Sequence, residues 1–256
     1  MKLATWNINS IRARQDRVVA WLKNNDCDVL ALQETKCRPD QFPYEALSEL
    51  GYSAEVVGLN QWNGVAIISR LPMTDVQHHF AAVPFFGESE EAEPRAMAVT
   101  VGGIRVYSLY VPHGRSLDDP HYRYKLNWLA ALAEEVGELA DQPVALVGDF
   151  NIAPFDHDVW DVGVFAGATH VSEPERAAFN RFIELGYTDV VRELVPEGYT
   201  YWDYQRLRFP RNEGMRIDFI LTSPPLSGRV TGAFIDRDER KGKGTSDHVP
   251  VMVTID

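Results

Sequence analysis

The chain has 256 residues, 45% of them hydrophobic and 24% charged, an ordinary soluble composition with enough apolar material for a large core. No apolar run approaches the roughly 18 residues of a membrane span, and the opening M-K-L-A-T-W-N-I-N enters a strand pattern directly rather than a basic-then-apolar leader. The net charge of −12, from 25 basic and 37 acidic residues, argues against broad attraction to nucleic acid. Cys27 and Cys37 form neither a disulfide framework nor a metal-ligand pattern, so a reducing, cytoplasmic setting away from membranes is expected.

Along the chain, residues 3–8 alternate as a strand and residues 14–24 carry Val18, Trp21 and Leu22 at helical spacing. Residues 29–32 are a short apolar run suited to a strand buried on both faces, with Glu34 just past its end. A short helix over 43–50 stops at Gly51, and strands follow over 53–57 and 65–69. Residues 96–101 and 104–110 alternate around Gly102-Gly103 as a hairpin ending at Tyr110. Residues 118–136 read as a helix. The run Val144–Val147, bounded by Pro143 and Gly148, is a buried strand that delivers Asp149 and Asn151 on one face and Phe150 on the other. Ser172-Glu-Pro-Glu175 is a capping box that opens a helix stopped by Gly186. Strands over 199–202, 216–222, 229–235 and 249–255 complete the chain. Strands and helices interleave without a polar linker, which predicts one α/β domain over 1–256. V-L-A-L-Q-E and V-A-L-V-G-D, each following a helix and ending in an acid, hint at an internal two-fold.

Polar residues gather where these strands end: Asn7, Glu34, Tyr110, Asp149, Asn151, Asp218 and the pair Asp247-His248. Any one of them alone reads equally well as a turn former or a structural pair, but eight from six strand regions point to a site carried on a rigid scaffold. The chemistry they suit is metal-assisted phosphodiester hydrolysis. Glu34 and Asp247, helped by Asn7 or Asn9, offer hard oxygen ligands for Mg²⁺, and soft ligands for zinc are too few. Asp218 can hold His248 in one tautomer and favour its protonated form. Asp149 can orient or deprotonate water, while Asn151, Tyr110 and Asn7 are neutral donors for phosphate oxygens.

T-W-N-I-N-S-I-R-A-R, L-Q-E-T-K, Y-V-P-H-G, G-D-F-N-I-A-P, G-M-R-I-D-F-I-L-T-S and T-S-D-H-V-P-V follow the order and approximate spacing of the exonuclease III family of abasic-site DNA repair nucleases, which the whole chain resembles. The resemblance implies a four-layer α/β sandwich of the DNase I-like kind, two packed mixed sheets flanked by helices. It implies dependence on Mg²⁺, or Mn²⁺ as a substitute, and cleavage 5′ to abasic sites in double-stranded DNA. Trimming of blocked 3′ ends and 3′-to-5′ digestion are further activities in the family. Carried across by position, Glu34 matches the principal metal ligand, with Asn7 and Asn9 in its neighbouring motif. Asp149 matches the residue assigned to the nucleophilic water and Asn151 its partner. Tyr110 matches the tyrosine near the scissile phosphate, Asp218 and His248 the Asp–His pair, and Asp247 the acid beside the histidine. The metal set is thus expected among Asn7, Asn9, Glu34, Asp149, Asn151, Asp247 and His248. Tyr201, Met215 and Ile217 fall where the family lines a pocket for the extruded sugar, and Met215 stands where some relatives have tryptophan. DNA contacts are expected from Arg12, Tyr201, Trp202, Met215 and Arg216, and the protein is expected to be a monomer.

An alternative keeps the chemistry but takes a lipid or small phosphoester as substrate; a third reading, a binding module with a decayed site, would require missing ligands. The R-A-R, Y-W-D-Y and G-M-R-I-D segments favour DNA. Basic clusters at Arg12, Arg14 and Arg17, at Arg206, Arg208 and Arg211, and at 237–243 each adjoin a site motif, whereas acids crowd 88–93 and 134–141. This pattern predicts a positive face around the site with the acidic runs turned away.

Overall fold

The protein is described by a computed structural model covering residues 1–89 and 91–256; Glu90, within the acidic run 88–93, lies outside the described residues. One sheet takes its first four strands from residues 2–69 and is completed by Val230–Ile235 and Val251–Ile255. Strand β1 (Lys2–Asn7) leads through helix α1 (Ile11–Asn25) to β2 (Val29–Gln33), and helix α2 (Tyr44–Ser48) precedes β3 (Ser53–Val57) and β4 (Val65–Ser69). The second sheet begins with β5 (Met73–Gln77), β6 (Ala96–Val101) and β7 (Ile104–Tyr110), crosses through α3 (Pro120–Gly137) to β8 (Val144–Asp149), and adds α4 (Glu173–Glu184) and β9 (Thr188–Asp189). Helix α5 (Val190–Leu194), β10 (Asp218–Thr222), α6 (Pro224–Ser227), β11 (Val230–Ile235) and β12 (Val251–Ile255) follow.

The strand orders are β11-β12-β1-β2-β4-β3 and β5-β6-β7-β8-β10-β9. In each sheet the two central strands are parallel, β1 with β2 and β7 with β8, and their outer neighbours are antiparallel. Each parallel pair needs a crossover, and α1 and α3 supply them. The internal two-fold suggested by the acid-ended strands is therefore present in the topology, with β2 and β8 in equivalent places.

Alternation sorts the side chains into four layers. Leu3, Val29, Ala31, Val65 and Ile67 of one sheet face Val99, Val106, Ala145, Val147 and Ile220 of the other in the central core. Ala4, Trp6, Leu30 and Leu32 point outward onto Val18, Trp21 and Leu22 of α1. Leu109, Leu146, Phe150 and Phe219 pack outward against Trp128, Leu129 and Leu132 of α3 and Phe179 and Phe182 of α4.

Along the central layer the inward positions change character toward one end. Leu3 gives way to Thr5 and Asn7, Ala31 to Gln33, Val106 to Ser108, and Val147 to Asp149. The buried polar step is satisfied across the two sheets: Thr5 Oγ1 donates to Gln33 Oε1 at 3.1 Å, and Gln33 Nε2 donates to Ser108 Oγ at 3.1 Å. This network ties the sheets together directly beneath the polar strand ends, because unpaired amides there would be costly. Gly148 is required just before Asp149, on the opposite face of the strand. Its φ of 151° and the 1.9 Å approach of a hypothetical Cβ to Leu109 O leave no room for a side chain.

Most elements follow the sequence pattern, and the differences have physical causes. Residues 199–202 form only an isolated bridge at Tyr201 rather than a strand, because Tyr201 pairs with Met215 and His248 across two loops. Strands β5 and β9 and helices α5 and α6 carry no distinct period: β5 is a mostly exposed edge strand, and the other three span two to five residues. No helix among the described residues is long and apolar enough to cross a membrane.

Candidate active site

The polar strand ends meet at the seam between the sheets. Glu34, Asp149 and His248 each bring a ligand-type atom within 4.8 Å of the others. Glu34 follows β2, Asp149 ends β8, and His248 precedes β12, so both sheets contribute.

The Glu34 backbone is held in the left-handed region at φ 50°, an uncommon place for a residue with a side chain. Neighbouring loops fix it there: Ser10 N donates to Glu34 O at 2.7 Å, and Thr35 N to Gly64 O at 3.1 Å. Lys36 Nζ lies 2.8 Å from Glu34 Oε2, and Asn7 Nδ2 donates to Oε1 at 2.8 Å. Burial opposes charge on this carboxyl, but Lys36 and the Asn7 amide outweigh it and hold its pKa below the ordinary value.

Asp149 is buried between the sheets. Asn7 Nδ2 also donates to its Oδ2 at 2.9 Å, so one amide bridges the two acids, and Asn151 N donates to Oδ1 at 2.9 Å. Burial pushes the Asp149 carboxyl up to about 7, with His248 opposing the shift and Asp218 adding to it. His248 Nδ1 donates to Asp218 Oδ2 at 2.8 Å, and Nε2 faces Asp149 Oδ2 at 3.7 Å. Burial would favour the neutral ring, but the Asp218 and Asp149 carboxylates outweigh it and raise His248 to about 10. Thr200 Oγ1 accepts from both Ile217 N and Asp218 N at 3.1 Å, which fixes the start of β10, and Ser246 Oγ accepts from His248 N at 3.2 Å.

The residues expected as metal ligands separate into distinct roles. Glu34 and Asp149 present hard carboxylate oxygens side by side, a donor set that fits a divalent ion such as Mg²⁺. His248 Nδ1 is taken by Asp218, and its Nε2 points into the cluster beside Glu34 and Asp149. Asn7 is turned with its NH₂ toward the acids, and its Oδ1 accepts from Asn9 N at 3.1 Å. Asn9 Oδ1 is taken by Lys36 Nζ at 2.7 Å, and its Nδ2 donates to Asp247 Oδ1 at 3.1 Å. Asp247 is thereby drawn toward Asn9 and outside the Glu34–Asp149–His248 cluster. Asn151 Nδ2 donates to Val111 O at 3.0 Å, leaving Oδ1 to accept from His170 Nε2 at 3.2 Å.

Tyr110 faces Glu34, with the Arg95 guanidinium 4.7 Å above its ring. Burial, reinforced by the Glu34 charge, holds the phenol well above its ordinary pKa, so it remains an O–H donor. Beside His248, whose ring centroid is 4.9 Å from that of Tyr201, opens a cleft of 140 Å³ whose wall of Trp160, Val164, Phe165, Tyr201 and Met215 is completed by the charged Asp203, Arg208 and Glu213. Ile217 packs beneath it with Met215 and Val159. A larger cavity, 660 Å³, lies behind Trp202 between Val195–Tyr199 and Arg237, and the clustered acids are not among its lining residues.

Two expected DNA contacts are corrected by their burial. Trp202 is fully buried and donates to Asn212 Oδ1 at 3.3 Å. Arg216 is 1% exposed, donates to Val195 O at 2.9 Å and faces Asp189 at 3.9 Å, so it braces the loop behind the site. Arg12 is exposed at the rim, and Tyr201 and Met215 line the cleft. Motif reading passed over Lys36, Arg95, Lys125, Thr200 and His170. Lys36 stands two residues after Glu34 in L-Q-E-T-K, whereas His170 joins the site only through the return of the 154–172 segment, for which the sequence carries no periodic signal.

Two facing mixed sheets that bring acids and an Asp–His pair to their common seam define an α/β sandwich of the DNase I-like class. The model of the endonuclease/exonuclease/phosphatase family matches residues 4–248, and the chain belongs to that family. It is similar to a 3′ phosphatase from Neisseria solved with a product DNA hairpin, with 39% identity, a TM-score of 0.94 and coverage of 100% of this chain and 99% of that one. It is also similar to an AP endonuclease from Archaeoglobus fulgidus, with 34% identity, a TM-score of 0.93 and coverage of 100% and 99%. The exodeoxyribonuclease III of Haemophilus influenzae is 30% identical over 268 residues, which cover 98% of both chains.

Proposed function

We propose that the protein is a divalent-metal-dependent DNA repair nuclease, with its 256 residues acting as one catalytic domain on duplex DNA, cleaving 5′ to abasic sites and trimming blocked 3′ ends. The observation that carries the reading is the convergence of Glu34, Asp149 and the Asp218–His248 pair on one spot at the sheet seam. Glu34 and Asp149 would hold Mg²⁺, or Mn²⁺ in its place, and the bound ion supplies positive charge for a phosphoryl oxygen as negative charge builds there. Asp149, with its pKa raised, is suited to orient the attacking water and take up its proton. His248, kept as imidazolium by Asp218, donates from Nε2 to a non-bridging phosphate oxygen, and the Tyr110 hydroxyl adds a second donor. The Tyr201–Met215 cleft sets an aromatic and apolar wall beside this donor set, with Asp203, Arg208 and Glu213 completing its lining, a fit for a sugar that has lost its base.

The similarity to a 3′ phosphatase at 39% identity supports action at 3′ ends as much as internal incision. Incubation with a duplex bearing an abasic site and with one bearing a 3′-phosphate, each with and without chelator, tests both activities. Chelator-sensitive cleavage of either duplex, with no turnover of lipid or small soluble phosphoesters, is the expected result; turnover of small phosphoesters alone would overturn the reading in favour of the alternative substrate class.

A further inference from the structure

Lys125 and Glu175 form an ion pair with no solvent exposure on either side chain. Such a pair is costly to bury and is weak grounds for stability in itself, so its placement calls for another explanation. The ammonium has three N–H donors, and each has an oxygen. One goes to Glu175 Oε1, one to Asn151 O at 2.7 Å, and one to His113 O at 3.4 Å. Asn151 follows the strand that delivers Asp149, and His113 lies on the loop that follows Tyr110. One buried cation, projecting from α3, thus joins the two loops that carry these site residues.

Glu175 is itself held from the far side. Ser172 Oγ donates to Glu175 Oε2 at 2.6 Å as part of the α4 capping box, and Tyr122 OH contacts Ser172 Oγ at 2.6 Å. Asn151 needs such support because its backbone sits at φ 50° in the left-handed region. From that conformation its N–H reaches Asp149 Oδ1, and its amide lies between Val111 O and His170.

We propose that Lys125, held by Glu175, is a positioning residue that fixes the 149–151 turn against the loop after Tyr110 and so keeps Asp149 in its reactive orientation. This inference rests on the reading of Asp149 as part of the reacting centre. It assigns a role to a pair that touches neither substrate nor metal. A displacement of the turn by about 1 Å is enough to lower turnover by about 10²-fold.

The test compares the parent with Lys125→Met/Glu175→Gln, which removes both charges while the substituted carboxamide retains an acceptor for Ser172. Glu184→Gln, an exposed substitution at the end of α4, serves as control. The double variant should keep a melting temperature close to the parent's and a KM within about threefold, while kcat falls by about 30- to 100-fold, consistent with misplacement of a reacting group. The side-chain amide resonance of Asn151 should shift in the double variant and not in the control. A folded double variant with parental kcat and an unshifted Asn151 amide would overturn the proposal. Should the double variant fail to fold, Glu175→Gln decides, because it loosens the lysine that Glu175 holds: a kcat loss of about 10-fold or more with a shifted Asn151 amide supports the positioning role, and a smaller loss overturns it. If the parent itself cleaves no DNA, the functional reading fails; an active parent with an equally active double variant refutes only the role of Lys125.

Discussion

His248 Nδ1 stands 2.8 Å from Asp218 Oδ2, and neither group is exposed to water. Among the described residues Asp218 Oδ1 has no hydrogen-bond partner, and the pairing with imidazole is the strong interaction of this side chain. The two residues should act as a unit. His248→Ala should lower kcat by about 10³-fold, at the upper end of the range for losing one donor to a developing oxyanion. Adding Asp218→Ala should lower it by less than about threefold more, because residues that share one step give non-additive losses. Losses that multiply in a kinetic double-mutant cycle would show two independent roles.

Glu34→Gln keeps the shape of the side chain and removes the charge that sits against Lys36 and the Asn7 amide. Activity at low Mg²⁺ should fall by about 10²-fold or more, while the far-ultraviolet circular dichroism spectrum stays parental. Part of the loss should return as Mn²⁺ is raised, since a weakened oxygen site still fills at higher concentration. Parental activity at low Mg²⁺ would remove Glu34 from the metal site.

The His248 pKa makes stability depend on pH in a defined direction. It is raised to about 10 in the folded chain, against about 6.5 for an unperturbed histidine. Between these values the native state binds more protons than the unfolded state. This contribution to stability is therefore complete below about pH 6.5 and is lost as the pH rises toward 10. Urea denaturation of the parent and of His248→Asn at pH 6, 8 and 10 should show the difference between them shrinking or reversing as the pH rises. A difference that is constant over this range would be inconsistent with an imidazolium in the folded state.

Basic residues around the site are mostly committed to the protein itself. Arg14 donates to Asn9 O and to Tyr204 OH, Arg17 pairs with Glu239 at 3.0 Å, and Arg208 pairs with Glu213 while its guanidinium lies 4.8 Å from the Trp160 ring centroid. Arg12 is exposed, as is Arg211, whose side chain is 61% accessible. Duplex affinity measured against salt should therefore lose about one unit of slope for Arg12→Ala or Arg211→Ala, by release of one fewer counterion. Arg208→Ala should change the slope less and lower the thermal stability of its loop instead. Glu138→Gln, after the far end of α3 and roughly 25 Å along it from the site, is the control for the acidic side and should leave the slope unchanged.

How far the sequence foretold these features depends on how local their causes are. Buried runs such as Val29–Gln33 and Val144–Asp149 announce their strands, and the acids at their ends mark the two halves of the site. The Asp218–His248 contact follows from motifs 30 residues apart that share a chemical logic. Trp202 and Arg216 read as surface contacts because their neighbours Tyr201 and Met215 line the cleft. Burial is decided by how residues 196–216 fold back behind Thr200, which no periodicity records. Lys125 reads as one more polar residue of an amphipathic helix, and only the arrival of Glu175 and two carbonyls from distant loops turns it inward. The basic clusters were visible as charge, but their internal partners were not.

The pairing of β1 with β12 bears on how the protein folds. Strand β1 lies between β2 and β12, so its outer edge stays open until residues 251–255 are available to cover it. Contacts spanning some 250 positions place a heavy entropic demand on folding. His248 lies just before β12. The imidazole that completes the constellation is thus carried on the segment that closes the sheet, so the site is whole only when β12 has paired with β1.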